Sequence, residues 1–113
     1  MHEIGVLTEA INQIHEIAKK NKVDRVKVVT LQIGEASGYL THFFTEYFPF
    51  VTKDIPLFEG CQLRMIVTKA EALCLNCHSL YNVMTNKGKC PKCNSREKQM
   101  IGGQEFLIKE IIY

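Results

Sequence analysis

Four of the five cysteines in this sequence form two C-x-x-C pairs, Cys74-Leu-Asn-Cys77 and Cys90-Pro-Lys-Cys93, with twelve residues between them. Each pair can close a tight turn whose backbone N–H groups point at the sulfurs. Two such turns facing each other place four thiolates at the corners of a tetrahedron, which Zn²⁺ accepts at about 2.3 Å per Zn–S bond. Four protein ligands complete the zinc shell and leave no open position, so the site reads as structural rather than catalytic. Tetrahedral sulfur also suits the iron of an electron carrier. A thioredoxin-type redox motif would use one pair and leave the second unexplained. His78 follows Cys77 and could replace a ligand or hydrogen-bond a thiolate, though such a histidine more often is simply exposed on the knuckle. Cys61, the fifth cysteine, shares a strand face with Leu63 and Met65 and reads as a small core hydrophobe.

A second ligand set opens the chain at Met1-His2-Glu3. A large second residue opposes removal of Met1, so its α-amine is expected beside the amide and imidazole of His2. Amine and amide close a five-membered chelate ring, and the His2 amide with Nδ1 closes a six-membered one. The Glu3 amide, or another oxygen or nitrogen, could complete a square. Ni(II) and Cu(II) prefer square-planar nitrogen, whereas Zn²⁺ does not. Such a site releases protons on binding and loses metal in acid. In the rival reading, His2 caps or packs against the helix that follows. His15 and His42 are lone helical histidines and read as polar or interface positions.

The elements that must position these residues are legible in outline. Ile4, Leu7, Ile11, Ile14 and Ala18 recur at helical spacing over residues 4–21. Residues 25–34 are rich in β-branched residues and read as a strand of a sheet partly covered on both faces. Leu40, Phe43, Phe44, Tyr47, Phe48 and Val51 give a second amphipathic helix over 40–52, read as core packing, with Pro49 weakening its last turn. Residues 61–69 alternate as a half-buried strand, and residues 105–113 return to strand character. Between them the chain is poor in apolar residues and needs a metal to organise it. The expected fold is α+β: two helices packed on a three-stranded, mainly antiparallel sheet, with an inserted zinc-ribbon-like module. The domains read as 1–69 plus 104–113 and a module of 70–103. The simplest geometry pairs the strands flanking the module antiparallel, like a long hairpin. No internal repeat is expected.

Composition narrows the function. No apolar run approaches the roughly 20 residues of a membrane span, and MHEIGVLTEA lacks the features of a secretory leader. An odd cysteine count without an export signal points to a reducing, cytoplasmic setting. The chain shows no nucleophile elbow, phosphate loop or supported carboxylate pair, so it reads as a non-enzyme. The formal charge of +2 falls to about zero once four thiolates and one Zn²⁺ are counted, which disfavours nucleic acid as the partner. Lys87, Lys89, Lys92, Arg96 and Lys98 nevertheless cluster, leaving as the alternative a zinc-ribbon nucleic-acid or protein-binding module without a nickel role.

The combination of MHE, IGEASG at 33–38, the two cysteine pairs, and a terminal G-x-E-x-x-I-x-E-I pattern resembles the HypA/HybF family of hydrogenase maturation proteins. In that pattern the residues are Gly103, Glu105, Ile108, Glu110 and Ile111, and the resemblance covers essentially the whole chain. It implies a nickel metallochaperone with a nickel-binding lobe and a structural zinc lobe. It makes His2 the key nickel ligand, assisted by the Met1 amine and the Glu3 backbone, and Cys74, Cys77, Cys90 and Cys93 the zinc ligands. It implies work with a HypB-type GTPase and delivery to the [NiFe]-hydrogenase large subunit. Apart from the resemblance, a monomer or weak homodimer is expected. Some urease-linked members carry histidines flanking both cysteine pairs. Here His78 flanks the first pair and Asn94 follows the second.

Overall fold

The structure is a computed structural model that describes residues 2–113, and of His2 the backbone alone. Met1 and the His2 side chain, two of the expected nickel ligands, lie outside the described residues. In chain order the long elements are helix α1 (His2–Lys20), strand β1 (Val28–Gly34), helix α2 (Thr41–Val51), β2 (Gln62–Thr68), β3 (Glu71–Cys74), β4 (Leu80–Asn82), β5 (Lys98–Gly102) and β6 (Phe106–Ile112). They form two three-stranded sheets, ordered β2-β1-β6 and β4-β3-β5. The expected α+β architecture with a cysteine-organised insert is the one observed. The chain divides into a compact unit of residues 1–31, 39–66 and 107–113, and another of 32–38 and 67–106.

In the first unit α1 buries Leu7, Ala10, Ile11, Ile14 and Ala18, while Ile4, the first residue of the predicted stripe, is 38% exposed. Lys19 and Lys20 end the helix, where its dipole favours cations. Val28, Val29 and Leu31 are all buried, so the adjacent valines reflect a strand covered on both faces. The apolar stripe of α2 is only partly core: Phe44 and Phe48 are buried, Phe43, Tyr47 and Val51 are half-buried, and Leu40 is 53% exposed. Phe43 and Tyr47 stack with centroids 5.7 Å apart. Pro49 sits inside the helix, which still runs to Val51.

The strands flanking the insert are not neighbours, since β1 lies between them. Lys27 N–H donates to Ile112 O and Gly34 N–H to Glu105 O, which sets β6 antiparallel to β1. Gln62 N–H donates to Lys27 O and Glu35 N–H to Thr68 O, which sets β2 parallel to β1. A hairpin is the shortest connection, but β1 is the strand buried on both faces, and burial puts it at the centre.

In the second unit β3 pairs antiparallel with β4, Leu73 opposite Leu80, and with β5, Leu73 opposite Gln99. The small core holds Ala72, Cys74, Tyr81 and Cys90, with Val83, Cys93 and Met100 packed against it. Two of its four buried members are metal-ligand types, so a metal would supply cohesion that apolar area does not.

Candidate metal centre

Each cysteine pair sits on a knuckle of the same construction. In the first, Cys74 N–H donates to Ser79 O, and His78 N–H to Cys74 O. In the second, Cys90 N–H donates to Ser95 O, and Asn94 N–H to Cys90 O. His78 and Asn94 occupy the same left-handed position, with φ of 63° and 62°. The knuckles are thus a short internal repeat, C-x-x-C-x-Ser, at Cys74–Ser79 and Cys90–Ser95, where none was expected. The matching serines after the cysteine pairs were its sequence signal. Asn and His are among the side chains that tolerate the left-handed region best, and this accounts for His78, an exposed residue, without a metal bond.

The repeat brings all four sulfurs within 4.8 Å of one another. Cys74 Sγ lies 3.5 Å from Cys93 Sγ, and Cys77 Sγ lies 3.5 Å from Cys90 Sγ. Zn–S bonds of about 2.3 Å imply a tetrahedron edge of about 3.8 Å, so the four thiols fit a tetrahedral thiophilic ion. Cys74 and Cys90 are buried, Cys93 is intermediate and Cys77 is exposed.

The surroundings favour thiolate at two of these corners. The Ser79 hydroxyl, 3.4 Å from Cys77 Sγ, and the Ser79 backbone hold the Cys77 thiol down at about 6. The Asn76 side chain and the Ser95 backbone lower Cys93. Burial pushes Cys90 up, as an apolar setting does to any thiol not yet bound to metal. Cys61 is half-buried and unconnected with this cluster; burial raises its thiol as well.

Two carboxylates from the recurring sequence patterns serve this unit. Glu35 accepts the Ala70 N–H at 2.7 Å and the Asn82 side-chain amide at 2.8 Å. The Ala70 and Asn82 bonds hold it below the usual carboxylate range. Glu105 accepts the Thr68 hydroxyl, the Gln32 side-chain amide at 2.9 Å and the Gly103 N–H at 2.9 Å. The Thr68 and Gln32 bonds lower it to about 2. These carboxylates tie Gln32, Thr68, Ala70, Asn82 and Gly103 together within this unit.

At the N-terminus, Glu3 is buried in the first turn of α1, and its carboxylate accepts the Leu40 N–H at 3.0 Å, just before α2.

This architecture is matched among known proteins. The family described as "Hydrogenase/urease nickel incorporation, metallochaperone, hypA" matches residues 1–113. The hydrogenase maturation factor HypA of Actinobacillus succinogenes is 32% identical over 111 residues, 98% of this chain and 97% of that protein. The hydrogenase maturation factor HybF of Proteus vulgaris has the same identity and coverage. The solution structure of the Ni metallochaperone HypA from Helicobacter pylori shares the fold, with a TM-score of 0.68 at 24% identity, covering 97% of this chain and 95% of that one. Another HypA solution structure matches with a TM-score of 0.71 at 26% identity, covering 99% and 95%. The chain belongs to the HypA family of nickel-incorporation metallochaperones for hydrogenase maturation, which are carriers and not enzymes.

Proposed function

We propose that this protein binds Ni(II) at its N-terminus and delivers it during maturation of [NiFe]-hydrogenase. Its nickel lobe comprises residues 1–69 and 104–113, and its zinc module residues 70–103. The Met1 amine, the His2 amide and imidazole, and the Glu3 amide would hold the nickel. The Glu3 carboxylate already accepts the Leu40 N–H, so Glu3 would serve through its backbone. Zn(II), held by Cys74, Cys77, Cys90 and Cys93, would fix the insert without taking part in transfer. Delivery proceeds by ligand exchange: a terminal site held by one histidine and backbone nitrogen can pass its ion to a partner's ligands one donor at a time. Losing the metal returns protons to the amine, amide and imidazole, so acid favours release. The partners would be a HypB-type GTPase and the hydrogenase large subunit, in the cytoplasm, with the carrier a monomer or weak homodimer. No helix among the described residues is long and apolar enough to cross a membrane.

The observation that carries this reading is Met1-His2-Glu3 at the head of a chain that the nickel-incorporation family matches over residues 1–113. Nickel titration of tag-free wild type against His2→Ala, with zinc content measured in both, tests it. Nickel binding should be lost in the variant while zinc stays. Unchanged nickel affinity would rule the site out.

A further inference from the structure

The cations Lys87, Lys89, Lys92, Arg96 and Lys98 lie on the second knuckle and its flanks, interrupted by a single acid, Glu97. Among the described residues none of the five takes part in an ion pair; the pair that is present, Arg25–Glu59 at 3.9 Å, lies elsewhere. Two of them are held over one point of the backbone. A Cβ placed on Gly88 would stand 3.5 Å from Arg96 Nη1 and 3.9 Å from Lys98 Nζ. Arg96 Nη1 donates to Lys87 O at 3.4 Å, and Lys98 Nζ to Arg96 O at 2.7 Å. The turn beneath is pinned as well: Gly88 N–H donates to Val83 O at 2.9 Å, and the buried Tyr81 hydroxyl to Gly88 O at 3.5 Å.

Two cations gathered with no carboxylate paired to either repel each other, and an anion between them relieves that repulsion. The guanidinium fork matches the two oxygens of a carboxylate, and the ammonium adds a point charge. Gly88, having no side chain, leaves the floor between them open. We infer that the Gly88 turn, with Arg96 and Lys98 over it, docks carboxylate side chains of an acidic protein segment. A protein fits better than nucleic acid. Residues 84–98 contain no aromatic on which a base could stack. Met84, 52% exposed, stands on the same turn, its carbonyl accepting the Lys87 N–H at 3.4 Å. An adaptable thioether beside paired cations suits an apolar residue flanked by acids. The inference stands whether or not the N-terminus carries nickel.

Anisotropy titration of the zinc-loaded full chain against labelled poly-L-glutamate, and separately against a random-sequence DNA duplex at about 0.15 M salt, tests it. Poly-L-glutamate should bind, more weakly as salt rises. Arg96→Ala with Lys98→Ala should weaken that binding about tenfold, while Lys20→Ala leaves it unchanged. Where the double variant has lost zinc, Lys89→Glu decides instead and should also weaken binding several-fold. Three outcomes overturn the proposal: no binding of poly-L-glutamate, equal binding by the zinc-loaded variants, or tighter binding of DNA through the same residues.

Discussion

Gly34 and Gly103 meet backbone to backbone: a Cβ on Gly34 would stand 2.0 Å from the carbonyl carbon of Gly103. A Cβ on Gly103 would stand 2.4 Å from the Ala70 Cα, and its φ of +90° already disfavours any side chain. The neighbours in both cases are backbone, which cannot swing aside. Gly34→Ala should therefore lower stability by about 2–4 kcal/mol, and Gly103→Ala should do the same. Gly5, in α1 with nothing within 4 Å, gives the contrast. Gly5→Ala should raise stability by about 0.5–1 kcal/mol. Thermal unfolding of the three zinc-loaded variants measures both directions, and a stable Gly34→Ala would contradict the close approach.

Glu105 should make stability depend on acid. Its carboxyl is lowered from 4.5 to about 2 by the Thr68 and Gln32 hydrogen bonds. A group depressed in the folded state stabilises the fold above its unfolded pKa, and that contribution is lost as pH falls through the folded value. The window therefore runs from about pH 4.5 down to about pH 2. Glu105→Gln keeps the shape but not the charge. It should be less stable than wild type at neutral pH by a constant margin, and that margin should shrink below pH 4.5. Zinc loss in acid affects both proteins alike, so unfolding midpoints compared at matched pH isolate the carboxylate. A margin that does not change with pH would show that Glu105 acts only as a neutral acceptor.

Helix α1, the strand character of β1 and β6, and the cysteine pairs were legible because each rests on spacing within a short stretch. Leu7, Ile11, Ile14 and Ala18 announce a buried face without help from the rest of the chain. The order β2-β1-β6 was not legible, because β6 finds β1 across more than half of the sequence and nothing local specifies which strand is central. The second apolar stripe of α2 misled for a related reason. Periodicity shows that Leu40, Phe43, Tyr47 and Val51 share a face with Phe44 and Phe48, but not that only the latter two become fully buried. The bonding of Glu35 and Glu105 was not legible, since their partners Asn82 and Gln32 lie far away in sequence.

Metal removal should act on the second unit first. Its core contains Ala72, Cys74, Tyr81 and Cys90 and little else that is apolar, too little to hold two knuckles without a bound ion. A chelator should collapse amide-exchange protection across residues 71–102 before it affects α1. One zinc per chain should be recovered from the four-cysteine site. Cobalt substitution should give the absorption of a four-thiolate tetrahedral site, and Cys77→Ser should weaken it. A cobalt spectrum of mixed nitrogen and sulfur ligation would instead bring His78 into the shell.

His78 and Asn94 hold one backbone position in two copies of the same knuckle, at φ of 63° and 62°. If His78 is there for its backbone, asparagine should replace it without loss, because its twin already uses asparagine. His78→Asn should then leave zinc content unchanged and stability within about 0.5 kcal/mol of wild type. A β-branched residue cannot adopt that conformation cheaply, so His78→Val should cost about 1–2 kcal/mol and raise the zinc off-rate. If His78 were a ligand, the two variants would behave alike, each losing zinc affinity by the same large factor. Competition with a chromophoric chelator reads the affinity, and thermal unfolding reads the stability. A separation between asparagine and valine at position 78, matched by the same separation between histidine and valine at position 94, is the expected signature of a backbone role.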